Sequence, residues 1–537
     1  MRIDKVYIEQ FKNLNQFTID LDETKMQTVL LGENAAGKSN FLEALVIIFR
    51  DLELGSTTSF NYEIIYRCKQ KILKAVGGPS TKGGYNIYEG FKFKENKILF
   101  IGKPIAKNVF SKDKFEYLPR YVFAYYSGVS NRLIEHFDYH QKKFASDLLK
   151  GVDRPLRPLF YAQLIHSHFV LLAFYSFTKP EINKFLEDYL DIIGLESILF
   201  VFKKPSWKRN NDVWDFWGAD GVVREFLDEL FNASMAPITF SENVRIDFRR
   251  TQKEDHLYLY ISNQEKLQKL AEKYEDNAEF FKRLESTYIS ELIKEVRVKV
   301  KKRHVNGDIT FKELSEGEQQ LLTVLGLLRF TKEEESLILL DEPDTHLNPL
   351  WKWKYMNLLQ DIVRESKPEN EETSQIIMTT HDPLVIGGLT KEEIRIFYTE
   401  KGKDENYKDI MRVKTMEPDF DPKGLGVAGI LTSEFFKLPS TLDEDTLDVL
   451  KRRNELIVKQ DDHKLTDDEA SELKEIFYYL NNLGINTTDR DPLYEKFIVA
   501  LSKLEKSEFV KSSPVELKKQ NEIAFDILKR IINESEK

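Results

Sequence analysis

The sequence predicts an α/β fold, a mixed sheet with flanking helices, carrying a mostly helical insertion and followed by a helical C-terminal region. Three observations predict it. A mainly apolar run at 28–31 leads into the loop GENAAGKS and then into the helical pattern FLEALVIIF. Two later apolar runs, SLILLDEPD and QIIMTTHDP, have the unbroken character of strands buried on both faces. Roughly 190 residues of largely helical spacing separate the first run from the other two.

The elements follow in order. Ile3, Val6 and Ile8 sit among polar residues, as in a half-buried strand, and a second strand is expected near 17–21. After the GENAAGKS loop and its helix, short β-like runs fill 60–102 around GGPSTKGG. The pattern then turns mostly helical over about 107–238, with strongly apolar stretches at 158–177 and 181–193. A hairpin is expected from VRIDF at Val244 to HLYLYIS at His256, then a helix at 277–295. VRVKVKKRHVNGDITF reads as a second hairpin with Asn306–Gly307 at its turn. Beyond Asp443 the chain reads as mainly helical, and Ser513-Pro514-Val515-Glu516 is a good helix start. The divisions drawn are 1–105, the helical insertion 106–294, 295–400, and a C-terminal region 401–537 for a partner or for oligomerisation.

Composition bounds the function classes. The chain has 537 residues, enough for about three or four domain-sized units. Apolar residues make up 41%, ample for packed cores, so a largely disordered chain is excluded. The formal net charge of −10 argues against coating nucleic acid by charge alone but leaves room for a local basic patch. No apolar run approaches ~18 residues, so no membrane span is expected. MRIDKVYIEQ lacks an apolar signal core, and Cys68 is the only cysteine, which excludes an internal disulfide. A cytoplasmic protein is the expectation.

Four motifs carry chemistry. Gly32–Ser39 matches G-x-x-x-x-G-K-S in full. Gly32 and Gly37 let the backbone curl, so that the N–H groups of the loop, Asn34 and Ala36 included, can cradle phosphates, with Asn40 at the helix start. Lys38 brings a positive charge to the β- and γ-phosphates, and Ser39 offers its hydroxyl to Mg²⁺. SLILLDEPD delivers Asp341 and Glu342 at a strand end, the first to hold Mg²⁺ and the second to polarise an attacking water. LSEGEQQ opens an apolar helix, where Ser315 and the Gly317 backbone form an anion site. QIIMTTHDP ends at His381, whose imidazole can bond a γ-phosphate or the attacking water; a lone histidine is usually structural, but this one follows a strand in the right order.

In this order the motifs resemble those of the ABC-type ATPases, within the RecF, SMC and OLD branch. The resemblance covers about 1–105 and 295–400. It implies a P-loop ATPase head using ATP and Mg²⁺, with IEQFKNL placing Lys12 and Asn13 near the phosphates. It also implies two heads facing each other, Ser315 and Gly317 of one capping the γ-phosphate held by Lys38 of the other. A homodimer or higher oligomer follows. The family's Q-loop glutamine is left unassigned, Gln70 and Gln141 being weak candidates.

The insertion is too short, and too rich in proline, tryptophan and hairpins, for the long coiled coil of an SMC protein. Asp489-Arg490-Asp491 has the letters of a Toprim nuclease but reads as a helix boundary, and the nine histidines show no H-N-H pattern. His166 and His168 do not share a helix face and read as structural. An ATP switch without a recognisable effector resembles the stand-alone ATPases of bacterial anti-phage systems of the Septu type. That resemblance implies a separate nuclease partner of HNH type. The alternatives carried are a RecF-like ATP-gated DNA clamp and a self-contained OLD-like nuclease. DNA contact was sought in KKPSWKRNNDVWDFW, whose aromatics otherwise pack inward, and in VRVKVKKR, otherwise a solvated strand face. The stripe Ile523, Ile527, Leu528 and Ile531 packs on its own domain or docks a partner.

Overall fold

A computed structural model describes residues 1–485, apart from 91, 95–96, 100–101, 129, 131, 154–155, 178–179, 246, 304–308, 311–313, 332–334, 365–372, 404–408, 462–463 and 484, together with 522, 524–526 and 528–530. The helix start at 513–516, the 489–491 triplet, Asn306–Gly307 and the Ile523, Ile527 and Ile531 stripe lie outside the described residues.

The framework is a seven-stranded sheet in the order Leu159–Tyr161, Tyr121–Tyr126, Ser336–Asp341, Gln375–Thr379, Gln27–Gly32, Ile394–Lys403, Asp409–Met416. The first six strands are parallel, and the last pairs antiparallel with its neighbour. Alternate residues of the central strands face two different cores, which is why their sequences show no polar alternation. Leu30, Leu337, Leu339 and Ile377 point to the core containing the helix Lys38–Leu54. Val29, Ile338, Leu340, Ile376 and Met378 point to the core shared by the helices Ile165–Ser176, Glu316–Thr331 and Pro349–Arg364. Each such side chain contributes on the order of 1.5–3 kcal/mol by its burial.

The first core is closed by a six-stranded antiparallel sheet, Leu14–Asp20, Arg2–Phe11, Tyr62–Cys68, Lys71–Gly77, Tyr85–Glu89 and Lys103–Ile105. A five-stranded antiparallel sheet lies on the other core. It contains both expected hairpins, Ile238–Arg245 with Thr251–Ile261 and Ile293–Lys302 with Ile309–Thr310, joined through Ile192–Lys203. Its inner face, Ile198, Phe200, Phe202, Leu257, Leu259, Val296 and Val298, belongs to the same core as the helices Gly221–Ala233, Gln264–Ala271 and Asn277–Ile289.

Segment 106–294 differs from its mainly helical expectation in a specific way. It supplies Tyr121–Tyr126 and Leu159–Tyr161 to the framework sheet and Ile192–Lys203 to the five-stranded one. YVFAYY and SILFVF are aromatic and β-branched runs that favour a strand once a partner edge is present. The framework sheet also continues past residue 400, through Asp409–Met416. The described C-terminal part is helical at Gly426–Thr432, Glu444–Asp461 and Asp467–Asn482. Among the described residues no helix is long and apolar enough to cross a membrane.

Candidate functional site

Parallel strands bring their C-terminal ends to one edge of the sheet, and the loops leaving that edge form the site. The strand Gln27–Gly32 enters the glycine loop with Gly32 at φ +139°, Ala35 at +63° and Gly37 at +97°. A Cβ on Gly32 would meet the Phe397 carbonyl oxygen at 2.3 Å, so glycine is required there by space as well as conformation. Gly37 caps the helix Lys38–Leu54 in a left-handed conformation, leaving its first N–H groups directed at the loop.

Lys38 is buried and donates to the Gly32 and Glu33 carbonyl oxygens at 2.7 and 3.0 Å. Burial pushes its pKa down to about 8, against the opposing pull of Glu342, Asp341 and Glu33. The ammonium is thus folded onto its own loop, held by two neutral carbonyls that a phosphate would outcompete.

Asp341, 1% exposed, ends the strand Ser336–Asp341 beside Ser39. Its Oδ1 accepts from Ser39 Oγ at 3.0 Å and from Thr379 Oγ1 at 2.6 Å. Burial raises its pKa, and the two hydroxyls work against that rise. Its other oxygen, Oδ2, is buried with no hydrogen-bond partner among the described residues. An orphaned buried carboxylate oxygen next to a serine hydroxyl is the donor set a Mg²⁺ ion needs. Ser39 and Asp341 are the residues that would hold it. The ion would neutralise phosphate charge.

Glu342 follows in the left-handed region, φ +52°, with its N–H donated to Thr379 Oγ1 at 3.0 Å. This turn aims its carboxylate away from the strand and toward His381, whose Nε2 lies 3.4 Å from Glu342 Oε1. Burial, then the nearby Lys38 cation, lowers the His381 pKa, and Asp341 opposes them. A neutral imidazole beside a carboxylate can accept or orient a water proton. Asp344, Thr380, Asp382 and Lys352 tie this loop to the histidine loop: Thr380 Oγ1 donates to Asp344 Oδ2 at 2.8 Å and Lys352 Nζ to Asp382 Oδ2 at 2.8 Å.

Asn13 reaches the glycine loop, donating to the Ala35 carbonyl at 2.8 Å and accepting from Asn40 at 2.7 Å. Lys12 takes a different partner: its ammonium contacts both oxygens of Glu43 at 2.6 Å. Arg132 bonds the same carboxylate at 2.7 Å and Asn40 Oδ1 at 2.5 Å, and His136 lies 3.2 Å away. Burial would raise the Glu43 pKa, but hydrogen bonds from His136, Lys12 and Arg132 overcome it and hold it at about 2. Asn34 is exposed on the loop, and Ala36 is buried.

Ser315 begins the helix Glu316–Thr331 with a reciprocal cap: the Glu318 N–H donates to Ser315 Oγ at 3.2 Å, and Ser315 N–H donates to Glu318 Oε2 at 2.8 Å. A Cβ on Gly317 would stand 2.4 Å from the His346 carbonyl oxygen, so this glycine lets the loop after Glu342 pass close by. Ser315 itself remains exposed.

Three participants escaped the sequence reading. Thr379 is visible in TTHDP as a polar residue inside a buried run, which could have signalled it. Arg132 had no local signal. The strand beside the Asp341 strand ends on Ser127 rather than a glutamine; Ser127 N–H donates to the Asp341 carbonyl oxygen at 3.2 Å, and its hydroxyl lies 3.1 Å from that of Thr345. Gln70 sits in a turn of the six-stranded sheet and Gln141 on the helix Asp138–Leu149. In the tryptophan-rich segment, Trp217 is buried and Trp207 Nε1 donates to the Ser290 carbonyl at 2.7 Å, the inward-packing reading. On the strand Ile293–Lys302, Arg297 pairs with Glu295 and Lys301 with Glu196. His166 belongs to a buried cluster, with Nε2 2.9 Å from Glu285 Oε2.

The sheet order and the site geometry are those of an ABC-type P-loop ATPase head of the RecF and SMC branch. Residues 205–387 match the family described as AAA domain, putative AbiEii toxin, Type IV TA system, and residues 1–63 match one described as a protein of unknown function. The chain is 26% identical over 173 residues to Septu protein PtuA of Bacillus mycoides, covering 30% of this chain and 22% of that protein. It is 30% identical over 176 residues to the Retron Vc95 probable ATPase of Vibrio cholerae, covering 30% and 31%. These matches span between about a fifth and a third of the relatives' lengths. Among solved structures, the SMC head domain from Thermotoga maritima aligns over 78% of this chain and all of its own at 12% identity and a TM-score of 0.31. The RecF–ATP structure aligns over 71% and 92% at 15% identity and a TM-score of 0.25.

Proposed function

We propose that the chain is the ATP-binding and hydrolysing subunit of a bacterial anti-phage complex, dimerising around ATP to scaffold and control a separate nuclease. One observation carries the ATPase part: Lys38, Ser39, Asp341, Glu342 and His381, from four separated segments, converge on one sheet edge. In the proposed cycle Lys38 leaves its carbonyls for the β- and γ-phosphates. Ser39 and Asp341 hold Mg²⁺, Glu342 polarises water, and His381 steadies that water or the γ-phosphate. Ser315, exposed on its helix start, faces the nucleotide of a second copy. The defence role is supported by the likeness to Septu protein PtuA and to the retron ATPase.

The test is Lys38→Ala, with phosphate release and phage plating measured together and co-purifying proteins identified by mass. The variant is expected to lose nucleotide binding, hydrolysis and protection. Full protection by a variant that binds no ATP would overturn the reading. A purified chain that binds DNA only with ATP, with affinity falling steeply with salt, would favour the RecF-like clamp instead.

A further inference from the structure

Away from the ATP site, a cavity of about 320 Å³ opens where the far end of the Lys38–Leu54 helix meets the inserted segment. Its walls are largely apolar, from Phe115, Phe144, Leu156 and Pro158. Around them stand Lys114, Arg120, Lys143 and Arg157, the imidazole of His140, and two carboxylates, Glu53 and Asp147. Glu53 is already matched, with Lys114 at 2.5 Å and His140 Nε2 at 2.6 Å. Arg157 is 5% exposed and bonds Glu285 at 2.8 Å through Nη1 alone. With Glu285 counted behind Arg157, four fixed cations face three carboxylates, so the lining keeps an excess of positive charge.

Two buried polar atoms on this lining have no hydrogen-bond partner among the described residues: Arg157 Nε and His140 Nδ1. A buried guanidinium N–H left unpaired is costly, and two such atoms on one cavity mark a place built to meet an acceptor. The apolar, partly aromatic walls call for a planar apolar body, and the volume sits at the lower end of small-molecule sites. We infer that this cavity is a second ligand site for a nucleoside monophosphate, its base against Phe115 and Phe144 and its phosphate against Arg157 and Lys143.

The position gives such a ligand a lever. Glu53 lies on the helix that begins at Lys38, His140 lies on the helix that follows Ser127, and Arg157 leads into the edge strand Leu159–Tyr161 while gripping Glu285 in the insertion. A bound nucleotide would brace the glycine-loop helix against the insertion.

The experiment is isothermal titration of the full chain with AMP, GMP, CMP and UMP in turn, the ATP site being saturated beforehand with a non-hydrolysable ATP analogue. At least one is expected to bind more tightly than about 1 mM. Arg157→Lys keeps the charge opposite Glu285 but removes the Nε–H, and Lys143→Glu reverses an exposed charge without touching the core. Each is expected to weaken that binding by about tenfold or more while the ATP analogue binds as before. No binding by any of the four, or binding unchanged in both variants, would overturn the assignment.

Discussion

Thr379→Val isolates one hydroxyl on which the two acids of the site depend. Thr379 is fully buried, and valine matches its shape, so the substitution removes polarity and little else. Two bonds go: the 2.6 Å donation to Asp341 Oδ1 and the 3.0 Å acceptance from the Glu342 N–H. Asp341 keeps only the Ser39 hydroxyl, and the Glu342 amide loses its anchor in a left-handed turn that costs energy to hold. A hydrogen bond to a charged group is worth about 1.5–3 kcal/mol, and if that is lost from the aligned acids the hydrolysis rate falls by about 10- to 150-fold. Because Lys38 and the glycine loop are untouched, ATP affinity should change by less than about threefold. Steady-state phosphate release and fluorescent-nucleotide titration separate the two effects, and Thr379→Ser, which restores the hydroxyl, should recover most of the rate. A valine variant hydrolysing ATP within about twofold of wild type would refute the idea that this hydroxyl orients the acids.

Glu342→Gln should lower hydrolysis by about a hundredfold or more while ATP still binds, since only the water-polarising carboxylate is lost; equal rates would remove Glu342 from the chemistry. Glu43, held at about 2 by Lys12, Arg132 and His136, stabilises the fold above its unfolded value near 4.5, and that contribution is lost as pH falls toward 2. Glu43→Gln should therefore lower the melting temperature at about pH 6 and make little difference at about pH 3, and a gap that widens on acidification would contradict the network. Gly317→Ala would place a methyl 2.4 Å from the His346 carbonyl, an overlap costing about 1–3 kcal/mol against a helix-propensity gain of at most ~1. Its melting temperature should drop, and an unchanged or higher value would mean that the two loops are not held together.

The sequence by itself determined the glycine loop, the acid pair and the histidine, because each depends on a local pattern: a buried strand, then residues whose chemistry a phosphate or metal requires. It also marked Asn13, which does reach the glycine loop, and both hairpins of the five-stranded sheet. What it left open depended on neighbours distant in the chain. Lys12 was expected at the phosphates, but Glu43, 31 residues on, holds its ammonium. Tyr121–Tyr126 carries a strand pattern that means little until the Asp341 strand lies beside it, and so neither Ser127 nor Arg132 could be read as part of the site. The cavity at Arg157 is the extreme case. Its lining comes from four separate stretches between Glu53 and Pro158, none with a motif, and only packing brings two unpaired nitrogens onto one wall. Local spacing encodes which groups can do chemistry. Which charges those groups meet is set by long-range packing, because a buried ion takes whatever partner the fold places within hydrogen-bonding distance.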